Sequence, residues 1–491
     1  MSLASSATRG AVVTLFWQSS RVVLQLLTVV VLARIIAPRD IGLLAMVLAI
    51  TGFAELVRDF GLSVAAVQAK TLSRDEKSNL FWINSLFGLL LTGIVCALSG
   101  AIAGFYGEPV LSTIVIWTSL TFFLNGVATQ FRAELNRNLR FSALSLAEIV
   151  PQFLGFLAGL LVAYTSPTFW ALIAQQLTMA GTGLVMVVLL ARWWPGLPKR
   201  SAPVWHLARF GAGLAGTQTI AYLTKNVDNI SIGYVWGPAP LGIYARAYQV
   251  AMLPIQQVTA PLSRVAIPIL SQVSDDEKRY LNYLLTGQSV SGFVCSVIYG
   301  VMCGLAHPLV LILFGANWMG MVPVIQALAI GGIFRALGQI SYWIFVSRGL
   351  TGHQFRFYLV TQPIIMLMML AGLPWGGAGV AIGVASGYAL LWAIQLWWAG
   401  KVSGVRIGEL MRNGILLFGS IAVPTAGLGL AAVALVANPF LAIAVGLAAI
   451  GIFYLLVFAL FERPRQQFAQ LRQLYFNRKA GKAKAVVPKT S

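Results

Sequence analysis

The chain has 491 residues, of which 58% are hydrophobic and only 10% are charged, and its formal net charge is +20. Soluble domains carry about 25% charged residues. This composition therefore excludes an ordinary soluble globular protein and indicates a protein that crosses a membrane several times. The three cysteines and three histidines form no Cys-x-x-Cys motif and no Cys/His cluster, so we expect no disulfide framework, no metal and no cofactor.

Fourteen apolar stretches are long enough to cross a bilayer, which takes about 20 residues. Several are joined by only a few turn-forming residues, such as "YTSPT" and "PWGG". The seventh stretch is the least apolar. In chain order the predicted spans are 12–37, 42–67, 79–104, 111–131, 144–165, 168–192, 209–235, 240–266, 281–305, 321–347, 354–374, 376–400, 413–436 and 438–461.

Lysine and arginine are distributed unequally between the two sides that these spans define. Twenty-seven of the 34 fall before the first span, after even-numbered spans or in the tail, five lie within spans, and only Arg34 and Arg39 fall on the other side. The positive-inside rule therefore predicts a plasma-membrane protein with both termini in the cytoplasm. The first apolar run is longer than a cleavable leader and is expected to be a signal anchor. The basic tail is expected to be disordered near anionic lipid.

The two halves of the chain follow one plan. A shift of 200 residues places Pro38 on Pro238 and Gly42 on Gly242. Parallel six-helix repeats are a transporter plan, so the predicted fold class is an all-α polytopic membrane protein with two six-helix bundles and two further helices. The predicted regions are 1–192 for the N-terminal bundle, 193–208 for a cytoplasmic linker, 209–400 for the C-terminal bundle, 401–461 for spans 13 and 14, and 462–491 for the tail.

Two spans that the shift aligns, the first and the seventh, each carry a stripe of polar residues at helical spacing. Lipid-facing positions cannot hold such groups cheaply. Both stripes are therefore expected to face inward, toward each other or toward water. The stripes contain Gln18, Arg21 and Gln25 in the first span, and Gln218, Lys225 and Asp228 in the seventh.

Three charged residues, Glu55, Arg58 and Asp59, lie close together in the second span. A charge at the bilayer centre costs about 3 kcal/mol on insertion scales. One interpretation is a local salt bridge that lets the helix insert, and the other is a gate or an ion-coupling element on a cavity wall. The residues do not decide between them.

Other ionisable residues within spans need partners from elsewhere. Arg246 shares a helix face with Gln249, and Arg335 and Glu148 lie in the tenth and fifth spans. Guanidinium groups that converge on a central cavity suit an anionic substrate, because they bind phosphate oxygens bidentately. The alternative is that the cations pair only with Glu148, Asp228 and each other; we favour the ligand. Glu148 and Asp228 join the second-span trio as candidates for gating or ion coupling.

Four aromatic residues lie near the predicted outer ends of spans seven and eight. Their position is typical of an interfacial aromatic belt. Stacking on sugars is the alternative. They are Tyr234, Trp236, Tyr244 and Tyr248.

Several stretches resemble the Wzx-type polysaccharide repeat-unit flippases of the multidrug/oligosaccharidyl-lipid/polysaccharide (MOP) exporter superfamily. The resemblance covers nearly the whole chain except the tail. The stretches are "DFGLSVAAVQ" (59–68), "LFWIN" (80–84), "FWALIAQQL" (169–177), "DNISIGYVWGPAPLGIYARAYQVAMLP" (228–254), "PLSRVAIPILS" (261–271) and "WGGAGVAIG" (375–383).

The resemblance implies an alternating-access fold and no catalytic residues. It implies transport of an oligosaccharide repeat unit on undecaprenyl diphosphate, for exopolysaccharide, capsule or O-antigen synthesis. It places basic cavity residues at Arg21, Lys225, Arg246 and, by a weaker match, Arg335. Expected partners are the lipid-linked oligosaccharide, membrane lipids, and polysaccharide polymerase and chain-length proteins, without nucleic acid. The alternatives are a multidrug or other lipid-linked-precursor exporter and, less favoured because the outward loops are short, a membrane polymerase or ligase.

Overall fold

A computed structural model of the chain describes residues 3–59, 73–199, 222 and 226–460. These residues are almost entirely helical. One 3₁₀ turn precedes the tenth predicted span, another follows the eleventh, and one segment is π-helical. All other regular elements of the described part are α-helices. They are α1 (Leu3–Ile35), α2 (Pro38–Asp59), α3 (Arg74–Ala97), α4 (Ser99–Tyr106), α5 (Val110–Arg137), α6 (Phe141–Thr165), α7 (Phe169–Ala191), α8 (226–236), α9 (Pro238–Gln272), α10 (Glu277–Gly304), α11 (Ala306–Leu313), α12 (Met321–Ser347), α13 (Thr351–Gly372), α14 (Gly376–Ser403), α15 (Ile407–Leu417), α16 (Val423–Leu435) and α17 (Pro439–Leu460).

The helices of the described part are those of a protein that crosses a membrane many times. Nine helical stretches within it are long and apolar enough to span a bilayer, and one of these, Thr351–Ser403, comprises both α13 and α14. A multi-pass membrane protein is therefore confirmed, while the count of fourteen spans stays a prediction. The apolar spans form helices because a backbone segment that lies away from water must satisfy its hydrogen bonds internally.

The two halves use the same order of helix packing. In the first half α3 packs on α5, α5 on α7, and α6 on α7. In the second half α10 packs on α12, α12 on α14, and α13 on α14. These are the third, fourth, fifth and sixth predicted spans of each half, joined in the same pairs.

The turn after the fourth span is also repeated. Leu139 has φ 53° and Gly349 has φ 69°, and in each turn a backbone N–H returns to a carbonyl five residues earlier, as in a Schellman motif. An arginine from each turn then reaches the last turn of the sixth span in its own half. Arg140 donates to the Leu190 carbonyl at 2.7 Å, and Arg348 donates to the Ser403 carbonyl at 2.5 Å.

The halves meet where α2 crosses α9. A Cβ atom built on Gly42 would lie 1.6 Å from the Pro238 carbonyl oxygen, and one built on Gly242 would lie 1.9 Å from the Pro38 carbonyl oxygen. The contact is therefore reciprocal and pairs the residues that the 200-residue shift aligned. Only glycine permits such a close approach of two backbones, as at other tight helix crossings in membranes.

Among the described residues, the hydrophobic core joins the halves at one end. One cluster, the shared core, combines residues of both halves around the α2–α9 crossing, including Leu32, Met46, Tyr244 and Trp318. Trp318 donates to the Ala33 carbonyl at 2.7 Å across the halves. We call this the Pro38 end. Toward the other end, the Ser403 end, the described core divides into one cluster from each half.

The last helices attach to the second half alone. Helices α15 and α16, separated by the π-helical segment Phe418–Ala422, pack on α10, and α17 packs on α11 and α16. Gly304 and Gly429 allow the α10 and α16 backbones to touch, with a Cβ built on Gly304 lying 2.5 Å from the Ala426 carbonyl oxygen. The predicted spans 13 and 14 thus lie beside the second bundle.

Two local features were not predicted from the sequence. The predicted span 79–104 is broken at Leu98, where α3 ends and α4 begins. The beginning of the predicted linker is hydrogen-bonded to α3. Gly196 accepts from Trp82 Nε1 at 2.9 Å, and Asn79 exchanges two hydrogen bonds with the Lys199 backbone at 2.7 and 2.8 Å. The predicted tail lies outside the described residues.

Candidate functional site

In the first half, Arg21 of α1 is paired with Glu148 of α6. Arg21 Nη1 lies 2.5 Å from Glu148 Oε2, and the two side chains are 54% and 52% exposed. The partner lies 127 residues away in the chain, so the local spacing could not identify it. The structure therefore agrees, for Arg21, with the alternative in which the intramembrane cations pair with acidic residues such as Glu148. Half-exposure means that the pair remains open to exchange with a ligand.

The second-span trio can be followed only through Glu55. Asn125 Nδ2 of α5 lies 3.5 Å from a carboxylate oxygen of Glu55, so this acid points into the first bundle. The side chains of Arg58 and Asp59 lie outside the described part, and the choice between local salt bridge and gate stays open.

Asp228 is buried in the shared core region and is already hydrogen-bonded. It is 2% exposed, and its carboxylate accepts from the Tyr244 hydroxyl at 2.7 Å and from the Asn229 N–H at 2.8 Å. Tyr244 is fully buried, so the prediction of an interfacial position was wrong for this residue, whereas Tyr234 and Trp236 are exposed. Lys225, Gln218 and the side chain of Gln18 lie outside the described residues.

Arg246 of α9 has no carboxylate partner within the described part of the chain. Its Nη1 donates to Gln249 Oε1 at 2.7 Å, and its Nε is buried without a hydrogen-bond partner. A buried guanidinium that is only partly satisfied is costly unless a ligand or water completes its hydrogen bonds. Gln25 of α1 is half-buried.

Arg335 of α12 is held by uncharged groups. Its Nη1 lies 2.9 Å from Met252 Sδ on α9, and its guanidinium carbon lies 5.2 Å from the centre of the Tyr388 ring on α14. Stacking on a ring fixes the plane of a guanidinium without neutralising it. As with Arg246, none of the ion pairs found among the described residues includes Arg335.

Arg335 lines a large cavity, which we call the second-half cleft. The cleft has a volume of about 1030 Å³ and lies between α9, α12, α13 and α14, in the part of the bundle nearer the Ser403 end. Its polar lining includes amides, phenols, hydroxyl groups and one cation. These are Arg335, Gln339, Gln362, Gln395, Tyr342, Tyr358, Tyr388, Thr259, Ser263 and Thr361.

The sequence indicated only part of this lining. Arg335 and Gln339 share a face of the tenth span at i and i+4. Gln362, Gln395 and Tyr388 were missed, because each is a lone polar group in an apolar span. The available signal was Gln362 directly before Pro363 within α13, where a polar group is hard to explain on a lipid-facing surface.

The geometry suits binding of a polar or anionic molecule from one end. The Pro38 end is closed by the shared core, while the two unpaired arginines and the cleft lie on helices whose cores separate toward the Ser403 end. Across the described residues no three His, Cys, Asp or Glu side chains lie together as a metal site would require.

Comparison with known proteins agrees with this architecture. The profile of a family described as polysaccharide biosynthesis proteins matches residues 31–323. The lipopolysaccharide biosynthesis protein WzxC of Escherichia coli K12 is 28% identical over 377 residues, which are 76% of this chain and 75% of that protein. The predicted resemblance is thereby confirmed.

Solved structures share the fold. The lipid II flippase MurJ in an inward closed conformation superposes with a TM-score of 0.69 at 14% identity, covering 91% of this chain and 98% of that one. An inward-facing multidrug transporter of the MATE family and the MOP superfamily gives a TM-score of 0.59 at 13% identity, covering 79% and 95%. The chain therefore shares the fold of these two transporters.

Proposed function

The chain belongs to the family of polysaccharide biosynthesis proteins, and from that premise we propose that it is a flippase for lipid-linked oligosaccharide repeat units. The cargo is an oligosaccharide on undecaprenyl diphosphate, moved across the plasma membrane for exopolysaccharide, capsule or O-antigen synthesis. The fold supports transport rather than catalysis, since a flippase and a drug transporter share it. The family match supports a polysaccharide pathway rather than drug export.

The observation that carries the proposal is a pair of arginines, Arg246 and Arg335, that have no carboxylate partner among the described residues. They lie on helices of a bundle whose described core joins that of the other half at one end. Intramembrane cations are retained where they bind substrate or ions. A diphosphate supplies the oxygens that guanidinium groups bind bidentately. We assign Arg21, Lys225 and Arg246 to diphosphate docking, with Arg335 deeper in the second half and Gln18, Gln25, Gln218 and Gln249 around them.

The charge distribution orients the molecule. With both termini in the cytoplasm, the Pro38 end faces outward and the Ser403 end faces the cytoplasm. The conformation is then inward-facing, with the α2–α9 crossing as the closed outer gate. We propose the same topology for the whole chain. It has fourteen spans in two six-helix bundles with two added helices, a linker after residue 192 and a cytoplasmic tail.

Transport then follows from rocking of one half against the other. The diphosphate docks from the cytoplasmic side, the polyprenyl chain stays in lipid, and the crossing opens as the inner ends close. Moving a negative charge outward across an inside-negative membrane gains about 2.3 kcal/mol per charge per 100 mV. Glu55, Arg58, Asp59, Asp228 and Glu148 are the candidates for gating or ion coupling, and polymerase and chain-length proteins are the candidate partners on the outer side.

A glycan export assay with the variant Arg21→Ala/Arg246→Ala tests the proposal. We expect surface polysaccharide to fall by at least about tenfold, because each lost charge-assisted contact costs about 1.5–3 kcal/mol. Mass spectrometry should show the lipid-linked repeat unit accumulating inside, as in a deletion strain. Arg406→Ala, in an exposed loop, is the matched control. Unimpaired export at normal protein levels would exclude diphosphate docking on these residues.

A further inference from the structure

The second-half cleft has a chemical character that diphosphate docking alone does not explain. Three glutamines and three tyrosines line it in addition to Arg335. A polyprenyl chain needs none of these groups, and a diphosphate would need more than one cation. Amide groups that donate and accept, beside aromatic faces, suit the hydroxyl groups and the apolar C–H faces of sugar rings.

We infer that the second-half cleft binds the oligosaccharide part of the cargo, while Arg246 and its neighbours bind the diphosphate. The inference rests on the proposed function and adds a second, separable subsite to it. A volume of about 1030 Å³ is at the upper end of ordinary ligand pockets, which suits several sugar rings. The position of the cleft nearer the Ser403 end places it where the halves have separate cores.

The described residues of the first half carry different groups at the matched positions. The matched turns at Leu139 and Gly349 align the two halves with an offset of 210 residues. In this alignment Gln362 corresponds to Gln152, and Arg335 corresponds to Asn125. The same offset places Tyr358 on Glu148, which is bonded to Arg21, and Asn125 lies beside Glu55. The first half therefore has an acid where the second has the phenol Tyr358, and an amide beside an acid where the second has the cation Arg335. These polar groups of the first half contact each other.

Arg335 defines the deep end of the cleft. Met252 and the Tyr388 ring hold the guanidinium, and none of its described contacts is a carboxylate. Its remaining N–H groups can donate to sugar hydroxyl or carboxylate oxygens. Gln339 also has a partner, since its Nε2 lies 3.2 Å from Ser263 Oγ. Gln362 and Gln395 line the cleft on α13 and α14, opposite α12, and are the better sites for substitution.

The test measures binding of two probes to the full-length protein in nanodiscs. One probe is the repeat-unit oligosaccharide released from its carrier by mild acid, and the other is undecaprenyl diphosphate without sugar. The variant is Gln362→Ala/Gln395→Ala. The matched control is Leu367→Ala/Ile382→Ala, which alters the lipid-facing surfaces of the same two helices, where these side chains are 65% and 60% exposed. Thermal melting of each variant checks that folding is retained.

We expect the cleft variant to bind the oligosaccharide about tenfold more weakly or worse, since two hydrogen-bonding side chains are lost, and to bind undecaprenyl diphosphate as the unmodified protein does. Arg246→Ala should show the reverse. Equal oligosaccharide binding by the cleft variant and the control would overturn the glycan subsite and leave the flippase proposal standing. If neither probe binds the unmodified protein and a deletion strain accumulates no lipid-linked glycan, the proposed function itself fails.

Discussion

The two halves share a scaffold but differ in how their polar groups are used. In the first half Arg21 is bonded to Glu148, and Asn125 lies against Glu55. In the second half Arg335 stacks on Tyr388, and the one hydrogen-bond partner found for Arg246 in the described part of the chain is the Gln249 amide. The helix pairs and the turn after the fourth span are nevertheless the same in both halves. The difference teaches that the repeat determines where the helices lie, whereas single substitutions at matched positions determine what each half can bind.

The largest effect should come from the one contact in which the halves are equivalent. In Gly42→Ala the new Cβ would lie 1.6 Å from the Pro238 carbonyl oxygen, so α2 and α9 must separate. Overpacking costs about 1–3 kcal/mol, which corresponds to about a 5- to 150-fold shift between conformations. We expect Cys introduced at Met46, which is fully buried in the shared core, to be labelled faster by an impermeant maleimide in a cysteine-free background.

The reciprocity of the crossing sharpens this prediction. Gly242→Ala should raise the labelling rate as Gly42→Ala does, because its Cβ would lie 1.9 Å from the Pro38 carbonyl oxygen. Gly104→Ala is the control, since nothing lies within 4 Å of a Cβ at that position. A rate that rises for only one of the two crossing glycines would show that the halves do not move as equivalents.

A smaller effect should separate the two arginines that cap the sixth span of each half. Arg348 donates to the carbonyls of Ser403 and Ser274 and lies 4.7 Å from the centre of the Tyr280 ring, whereas Arg140 reaches the single carbonyl of Leu190. Hydrogen bonds to charged groups contribute about 1.5–3 kcal/mol each. We therefore expect Arg348→Ala to lower the melting temperature about twice as much as Arg140→Ala, with Arg406→Ala close to unchanged. Equal losses would mean that the second half gains nothing from its additional contacts.

The helices follow from local patterns. Hydropathy defined the spans, and the alignment of Pro38 with Pro238 and of Gly42 with Gly242 indicated a repeat. The crossing itself was not predicted, although the aligned glycines are the residues that form it. Hydropathy did not predict the break at Leu98, since the residues on both sides are apolar. It also missed the ordered start of the linker, where side chains of α3 bind backbone groups more than 110 residues later.

The site was only partly predictable for a related reason. Helical spacing shows which polar groups share a face, as with Arg246 and Gln249, which do bond to each other. It does not show which groups meet across helices. Glu148 was one of several acids that could pair with the cations, and the fold places it on Arg21. Asp228 was another, and among the described residues its carboxylate accepts from Tyr244, which the spacing did not indicate. Contacts between residues that are distant in the chain depend on how helices pack, and the sequence of a single span does not determine that packing.

The smallest effect on stability, and the most direct test of the comparison, should come from Glu148→Gln. The pair with Arg21 is about half exposed, and exposed ion pairs contribute about 0–1 kcal/mol, so the melting temperature should barely change. If the Glu148 carboxylate occupies the Arg21 guanidinium in the resting conformation, its removal leaves Arg21 without this acidic partner. Arg21 would then resemble Arg246, which has no carboxylate partner among the described residues. We therefore expect undecaprenyl diphosphate to bind several-fold more tightly. Glu409→Gln, an exposed acid outside the bundles, is the control. Unchanged affinity in Glu148→Gln would mean that Arg21 supports the first bundle and that docking of the diphosphate belongs to the second half alone.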